Sequence, residues 1–209
     1  MNPTGTIPRT TAQRAVLQEL HGFAELPRLI GRMPRLARKP RGAGTPVLVL
    51  PGRGVDDLST LPLRGYLRLI GYAPAGWMLG LNDGDLGRLV PLAADRAAYL
   101  SAAAGRPIPI VGQSMGGSIA REVARRRPDV VSRVITLGSP IMSARSREPI
   151  TRPLTVIYSK ADQIVPPHWA LAKGDEAEVV EVGSTHFSMG IDPDVWAIVA
   201  DRLAAPDEV

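Results

Sequence analysis

The sequence predicts an α/β protein: a mostly parallel central sheet with helices on both faces. Three observations carry that expectation. Apolar runs such as Val47-Leu48-Val49-Leu50 are continuous rather than alternating, as in parallel strands buried on both faces. From about residue 46 onward, strand-like runs alternate with segments of helical rhythm. A chain of 209 residues, 44% hydrophobic, is long enough for one domain with a sizeable core.

Residues 1–11 are rich in Pro, Thr and Gly and read as loosely held. A helix fits residues 12–24, with Ala15, Val16, Leu20 and Phe23 on one face. Residues 27–41 are basic and amphipathic. They read as a solvated helix pair or linker, with an anionic lipid surface as the alternative partner. Residues 1–45 are thus expected to form a helical segment packed on or beside the core, and residues 46–209 the α/β domain.

After the glycine-rich breaker at 41–44, the first strand is expected at 47–50, ending in Pro51-Gly52-Arg53-Gly54. A helix follows over 61–69, with Pro62 near its start. A second strand fits 75–79, followed by the turn-rich Asn82-Asp83-Gly84-Asp85. A long helix is expected over 89–104, stopped by Gly105-Arg106-Pro107. A strand at 108–111 and a helix to about 127 surround a glycine-flanked serine. Further strands fit 130–137, 154–158 and 177–182. A short helix fits 168–173 and a closing helix 193–203; residues 141–152 read as a short loop.

The net charge is +5 and the isoelectric point is near 10.1. Arginines are spread along the whole chain and aromatics are only 4%, so there is no basic stripe with stacking residues of the kind nucleic acid binding needs. Zero cysteines exclude disulfides and thiolate metal sites, and three scattered histidines argue against a histidine-rich one. The amino terminus has no apolar signal-peptide core and no apolar run long enough to span a membrane, so a cytoplasmic location is the default, secretion staying open if a leader has been removed.

The chemistry centres on Gly112-Gln113-Ser114-Met115-Gly116. In the Gly-x-Ser-x-Gly pattern a serine occupies a strained strand-to-helix turn that pushes its hydroxyl into the open. Glycines two before and two after are needed because side chains there would collide as strand and helix close on each other. The alternative is a glycine-rich βα turn without chemistry. Context favours the nucleophile, since Val111 ends a β-branched run and Met115, Ile119 and Val123 recur at four-residue spacing.

A serine hydroxyl needs a base to take its proton. His21 precedes every strand and His168 starts a helix, whereas His186 lies on a loop after the last strand, at the sheet end where the serine turn belongs. His186 is therefore the expected base. Asp162, just past the strand at 154–158, is expected to orient it. The competing role for Asp162 is capping the following turn. The order Ser, Asp, His is one in which this machinery occurs, and no other strand-end acid precedes His186 as well. An oxyanion hole requires two backbone N–H groups. Met115, directly after the serine, is the expected first donor; the loop after the first strand supplies the second, Arg53 before Gly54.

These residues resemble the α/β-hydrolase superfamily, and within it the small bacterial lipase and esterase branch. The resemblance runs from about Val47 to Leu203. It rests on Leu50-Pro51-Gly52-Arg53-Gly54, Gly112-Gln113-Ser114-Met115-Gly116-Gly117, Asp162-Gln163-Ile164-Val165-Pro166 and His186. It implies a Ser-His-Asp hydrolase acting on a small-molecule ester without metal or organic cofactor. Many relatives have His-Gly where this chain has Pro51-Gly52, and many insert a cap where only residues 138–153 stand here. A minimal fold without a large cap is expected. Thioesterase, acyltransferase and perhydrolase chemistry are alternatives on the same triad, since the triad does not choose the acceptor. A non-catalytic binding protein is the remaining alternative.

Overall fold

The computed structural model describes residues 25–141, 148–171 and 176–206. The helix expected over 12–24 and His21 lie outside the described residues, as does the middle of the 141–152 loop. Among the described residues six strands form one all-parallel sheet: β1 Pro46–Leu50, β2 Ala73–Gly76, β3 Ile108–Gln113, β4 Val131–Leu137, β5 Leu154–Ser159 and β6 Glu178–Val182. Their spatial order is β2-β1-β3-β4-β5-β6, with register pairs such as Val49 to Val111 and Val111 to Ile135. Because every strand is parallel, all carboxyl ends open on one edge, and the connecting helices cover the two faces.

Alternation along β1 shows how the two cores are separated. Leu48 and Leu50 face the layer of α3 (Leu86–Ala104) and α4 (Met115–Arg126), with Ile110, Ile119, Val123 and Trp77. Val47 and Val49 face the layer of α1 (Glu25–Leu36), α2 (Leu61–Leu69) and α6 (Pro193–Ala204), with Val111, Ile135, Leu67 and Val199. Tyr66 stacks on Trp196 at 4.9 Å between α2 and α6. Such two-sided burial is what selects continuous apolar runs over alternating ones. Between Leu137 at the end of β4 and Leu154 at the start of β5 only residues 138–153 intervene, too few for a cap domain.

The second strand differs from expectation, ending at Gly76 rather than continuing to Leu79. The Trp77 and Met78 amides turn away from the ladder and donate to the Asp57 carboxylate at 3.0 and 2.9 Å, so hydrogen bonding that would extend the strand is diverted. Pro74 is tolerated because β2 is an edge strand with partners on one side only. α3 begins at Leu86, three residues before the expected start, because the Asp85 side chain caps the Arg88 amide. The expected 168–173 helix appears as a single turn, α5 (Pro167–Ala170), within the described residues.

Part of the basic segment at 27–41 folds as α1. Leu29 and Leu36 are buried, and the cationic side packs against α6: Arg28 pairs with Asp192 and Asp194, Arg32 with Asp194 at 3.5 Å, and Lys39 with Asp201 at 2.7 Å. Asp194 lies in the first turn of α6, where the helix dipole also favours negative charge. No helix among the described residues is long and apolar enough to cross a membrane.

Candidate active site

The site is assembled where the carboxyl ends of β1, β3, β4 and β5 meet. Ser114 stands between β3 and α4 with φ 50° and ψ −124°. A non-glycine residue held there costs on the order of 1–3 kcal/mol. Its surroundings enforce that conformation. The Ser114 amide donates to Leu137 O at 2.8 Å, and the glycines around it permit backbone approach that no side chain would allow. A Cβ on Gly112 would stand 2.4 Å from Gly116 O, and one on Gly116 would stand 2.4 Å from Leu50 O. The collision anticipated from the sequence is therefore literal, between α4, β3 and the end of β1. Gly117 is needed for the same reason: a Cβ there would lie 2.0 Å from the buried Ser139 Oγ.

His186 Nε2 lies 3.0 Å from Ser114 Oγ, and His186 Nδ1 lies 2.8 Å from Asp162 Oδ2. An ionised carboxylate can only accept, so Nδ1 carries the proton and Nε2 is left to accept from the serine hydroxyl. His186 and Asp162 are 3% and 4% exposed, which keeps water from competing for this pair. The other Asp162 oxygen accepts from the Ile164 and Val165 amides at 2.8 and 2.7 Å. The two roles weighed for Asp162, turn cap and histidine partner, are thus both performed, one by each oxygen. Gly138, with φ 53°, supplies room for the pair: a Cβ there would meet Asp162 Oδ2 at 3.0 Å and His186 Nδ1 at 3.3 Å. The sequence reading gave Gly138 no role in the site. His168 stands apart on α5, exposed, its ring edge-on to Trp169.

The loop after β1 lies against the serine, since a Cβ on Gly52 would be 3.3 Å from Ser114 Cβ. Of its two candidate donors, Gly54 is excluded. Its amide already donates to Asn82 O at 2.7 Å. Among the described residues the Arg53 and Met115 amides donate to no protein acceptor, and Met115 opens α4, where the first N–H groups have no intrahelical partner. The Arg53 side chain lies along Gly84. Asn82, fully buried, was read from sequence only as part of a turn.

Exposed apolar side chains border this edge of the sheet, among them Met78, Leu81, Ile164, Trp169 and Phe187. Phe187 touches His186 edge-to-face at 5.5 Å. No group of three metal-ligating side chains occurs among the described residues. A cavity of about 650 Å³ bordered by Arg133, Arg152, Leu154 and Arg202 lies at the amino ends of β4 and β5, on the edge opposite Ser114.

No protein-family profile matches the sequence, and no curated protein does. Solved structures do resemble it. A predicted CIB-like hydrolase from Thermoplasma acidophilum aligns with a TM-score of 0.57 and 20% identity over 77% of this chain and 86% of that one. Esterase PE8 aligns at 0.59 and 19% over 78% and 94%. The thioesterase domain from the curacin biosynthetic pathway aligns at 0.55 and 13% over 80% and 93%. The chain has the α/β-hydrolase fold, in a minimal form without a large cap.

Proposed function

We propose that this chain of α/β-hydrolase fold is a serine hydrolase that cleaves carboxylic esters through an acyl-enzyme on Ser114, without metal or organic cofactor. The observation that carries the reading is the unbroken hydrogen-bonded line from Ser114 Oγ through His186 to Asp162, at 3.0 and 2.8 Å, on a strained turn. His186 Nε2 takes the serine proton as Oγ adds to the ester carbonyl. Asp162 holds the imidazole in the required tautomer and stabilises the imidazolium. The carbonyl oxygen becomes an oxyanion received by the Arg53 and Met115 amides. Collapse breaks the bond to the alcohol oxygen, which leaves with the proton from His186. Water then repeats the sequence on the acyl-enzyme, releasing the acid and restoring Ser114.

The test is a panel of p-nitrophenyl esters of rising acyl length, run beside acyl-CoA thioesters, on the wild type and on Ser114→Ala. Ester turnover that disappears in Ser114→Ala while the melting curve is retained supports the reading. The hydroxyl contributes little to packing, whereas the covalent route requires it. Ester turnover undiminished in the variant refutes it. Turnover of thioesters in strong preference to esters moves the substrate class, because fold and triad leave the acceptor and leaving group open.

A further inference from the structure

Of the two candidate donors in its loop, the Arg53 amide is the one left without a protein acceptor among the described residues, and the structure shows what holds it there. Three consecutive peptide groups matter: Pro51–Gly52, Gly52–Arg53 and Arg53–Gly54. In the first, the Pro51 carbonyl accepts from Asn82 Nδ2 at 2.9 Å. In the third, the Gly54 amide donates to Asn82 O at 2.7 Å. The Asn82 amide donates in turn to Val55 O at 2.9 Å. One residue therefore grips the peptide on either side of the one that carries the Arg53 N–H.

The grip is itself rigid. Asn82 is fully buried, and its remaining oxygen, Oδ1, accepts from the Gly84 amide at 3.1 Å. That bond fixes the amide orientation, so that Nδ2 faces Pro51 O. A flipped amide would set two oxygens against each other and two donors together. On the far side, the Pro51 and Leu50 carbonyls are packed against Gly116 at the start of α4. The loop is thus clamped between the helix that carries Ser114 and the turn that carries Asn82. A carbonyl stacked against a helix start cannot rotate, and with both neighbours held the central peptide has no freedom to swing its N–H away.

We propose that Asn82 is a positioning residue for the oxyanion hole: its side-chain N–H to Pro51 O and its backbone carbonyl to Gly54 N fix the direction of the Arg53 amide. The inference rests on the ester-hydrolase reading of Ser114. Asn82 touches no reacting atom; it acts through the peptide it orients. A buried asparagine with a merely structural role would, on replacement, lower stability and leave the chemistry alone. A positioning role makes a different demand, since the loss must fall on the transition state.

The test uses Asn82→Asp, which keeps size and the Oδ1 acceptor but loses the donor to Pro51 O, with Asn82→Ala as a second variant and Asn82→Ser as a partial rescue that retains a hydroxyl donor. Leu203→Ala, in the last turn of α6 at the other end of the molecule, serves as a stability control. Two quantities are read: kcat and KM on p-nitrophenyl butyrate, and inhibition by trifluoroacetophenone. Ser114 Oγ adds to the ketone carbonyl and its proton passes to His186, leaving an oxyanion in the hole without a leaving group. The expected result for Asn82→Asp and Asn82→Ala is a kcat lower by about 10- to 100-fold with KM nearly unchanged, ketone inhibition weakened by a similar factor, and part of both regained in Asn82→Ser. Leu203→Ala lowers the melting temperature and leaves kcat and ketone inhibition as they were. Wild-type kcat and ketone inhibition in both Asn82→Asp and Asn82→Ala overturn the inference, as does a kcat loss with ketone inhibition unchanged. A wild-type protein that neither cleaves the ester nor reacts with the ketone overturns the reading of Ser114, and this inference with it.

Discussion

Gly116→Ala is the sharpest test of how the nucleophile turn is built. In the first turn of a helix, glycine to alanine ordinarily stabilises by up to about 1 kcal/mol, because alanine loses less backbone freedom on folding. Here the added Cβ would stand 2.4 Å from Leu50 O and 2.6 Å from Pro51 O, both backbone atoms at the end of β1 that cannot swing aside. Ordinary contact begins near 3.4 Å, so the start of α4 must retreat by about 1 Å. Overpacking of this kind costs about 1–3 kcal/mol, which outweighs the gain in propensity. In a chain of this size each kcal/mol moves Tm by about 2–4 °C, so a drop of a few degrees is expected. The displacement also carries the Met115 amide and Ser114 away from the Arg53 loop, and a misplacement of about 1 Å can cost roughly 100-fold in rate. Gly65→Ala is the matched control. Gly65 lies on the exposed side of α2 with nothing within 4 Å of an added Cβ, so Tm should rise by up to a few degrees and activity should hold. The assay is thermal melting beside kcat/KM on a p-nitrophenyl ester for both variants. A Gly116→Ala protein that melts higher than wild type with its activity intact would show that α4 and β1 do not meet as described.

Further outcomes follow from the same geometry. His186→Ala should be inactive and His168→Ala should match wild type in ester turnover, because of these two it is His186 that reaches Ser114 Oγ; the opposite pattern would move the base to α5. Asp162→Asn should lower kcat by on the order of 1,000-fold or more while Tm falls only modestly, since the amide shape still fits the turn but no longer enforces the productive imidazole tautomer; turnover within a few-fold of wild type would remove Asp162 from the proposed mechanism. Because no cap domain stands between β4 and β5, hydrolysis of tributyrin should show no jump in rate as the substrate passes its solubility limit, and a jump measured there would contradict an open cleft.

Much of this protein was legible in one dimension because the determining physics is local. Burial of a parallel strand on both faces selects continuous apolar runs, so β1, β3, β4 and β5 were read near their observed bounds. A tight strand-to-helix turn excludes side chains at fixed offsets, so the glycines at 112 and 116 marked Ser114 before any fold was known. Chain order then singled out Asp162 and His186. Other features depend on partners far away in sequence. β2 ends early because Asp57 captures the Trp77 and Met78 amides, a contact that no periodicity within residues 73–79 records. In the glycine-rich loop the sequence ranks Arg53 before Gly54 as donor without showing what engages either amide. Asn82, remote along the chain, takes up the Gly54 amide and leaves that of Arg53 free. The room for the His186–Asp162 pair comes from Gly138 on β4's loop, and the cations of the 27–41 segment find partners on α6 at the other end of the chain. Sequence by itself determined which residues could do chemistry and which segments had to be buried, because propensity, patterning and backbone sterics act between neighbours. Tertiary structure alone decided which amide of that loop is already engaged and which charges are paired, because hydrogen bonds and ion pairs form between groups that only folding brings within 3 Å or so.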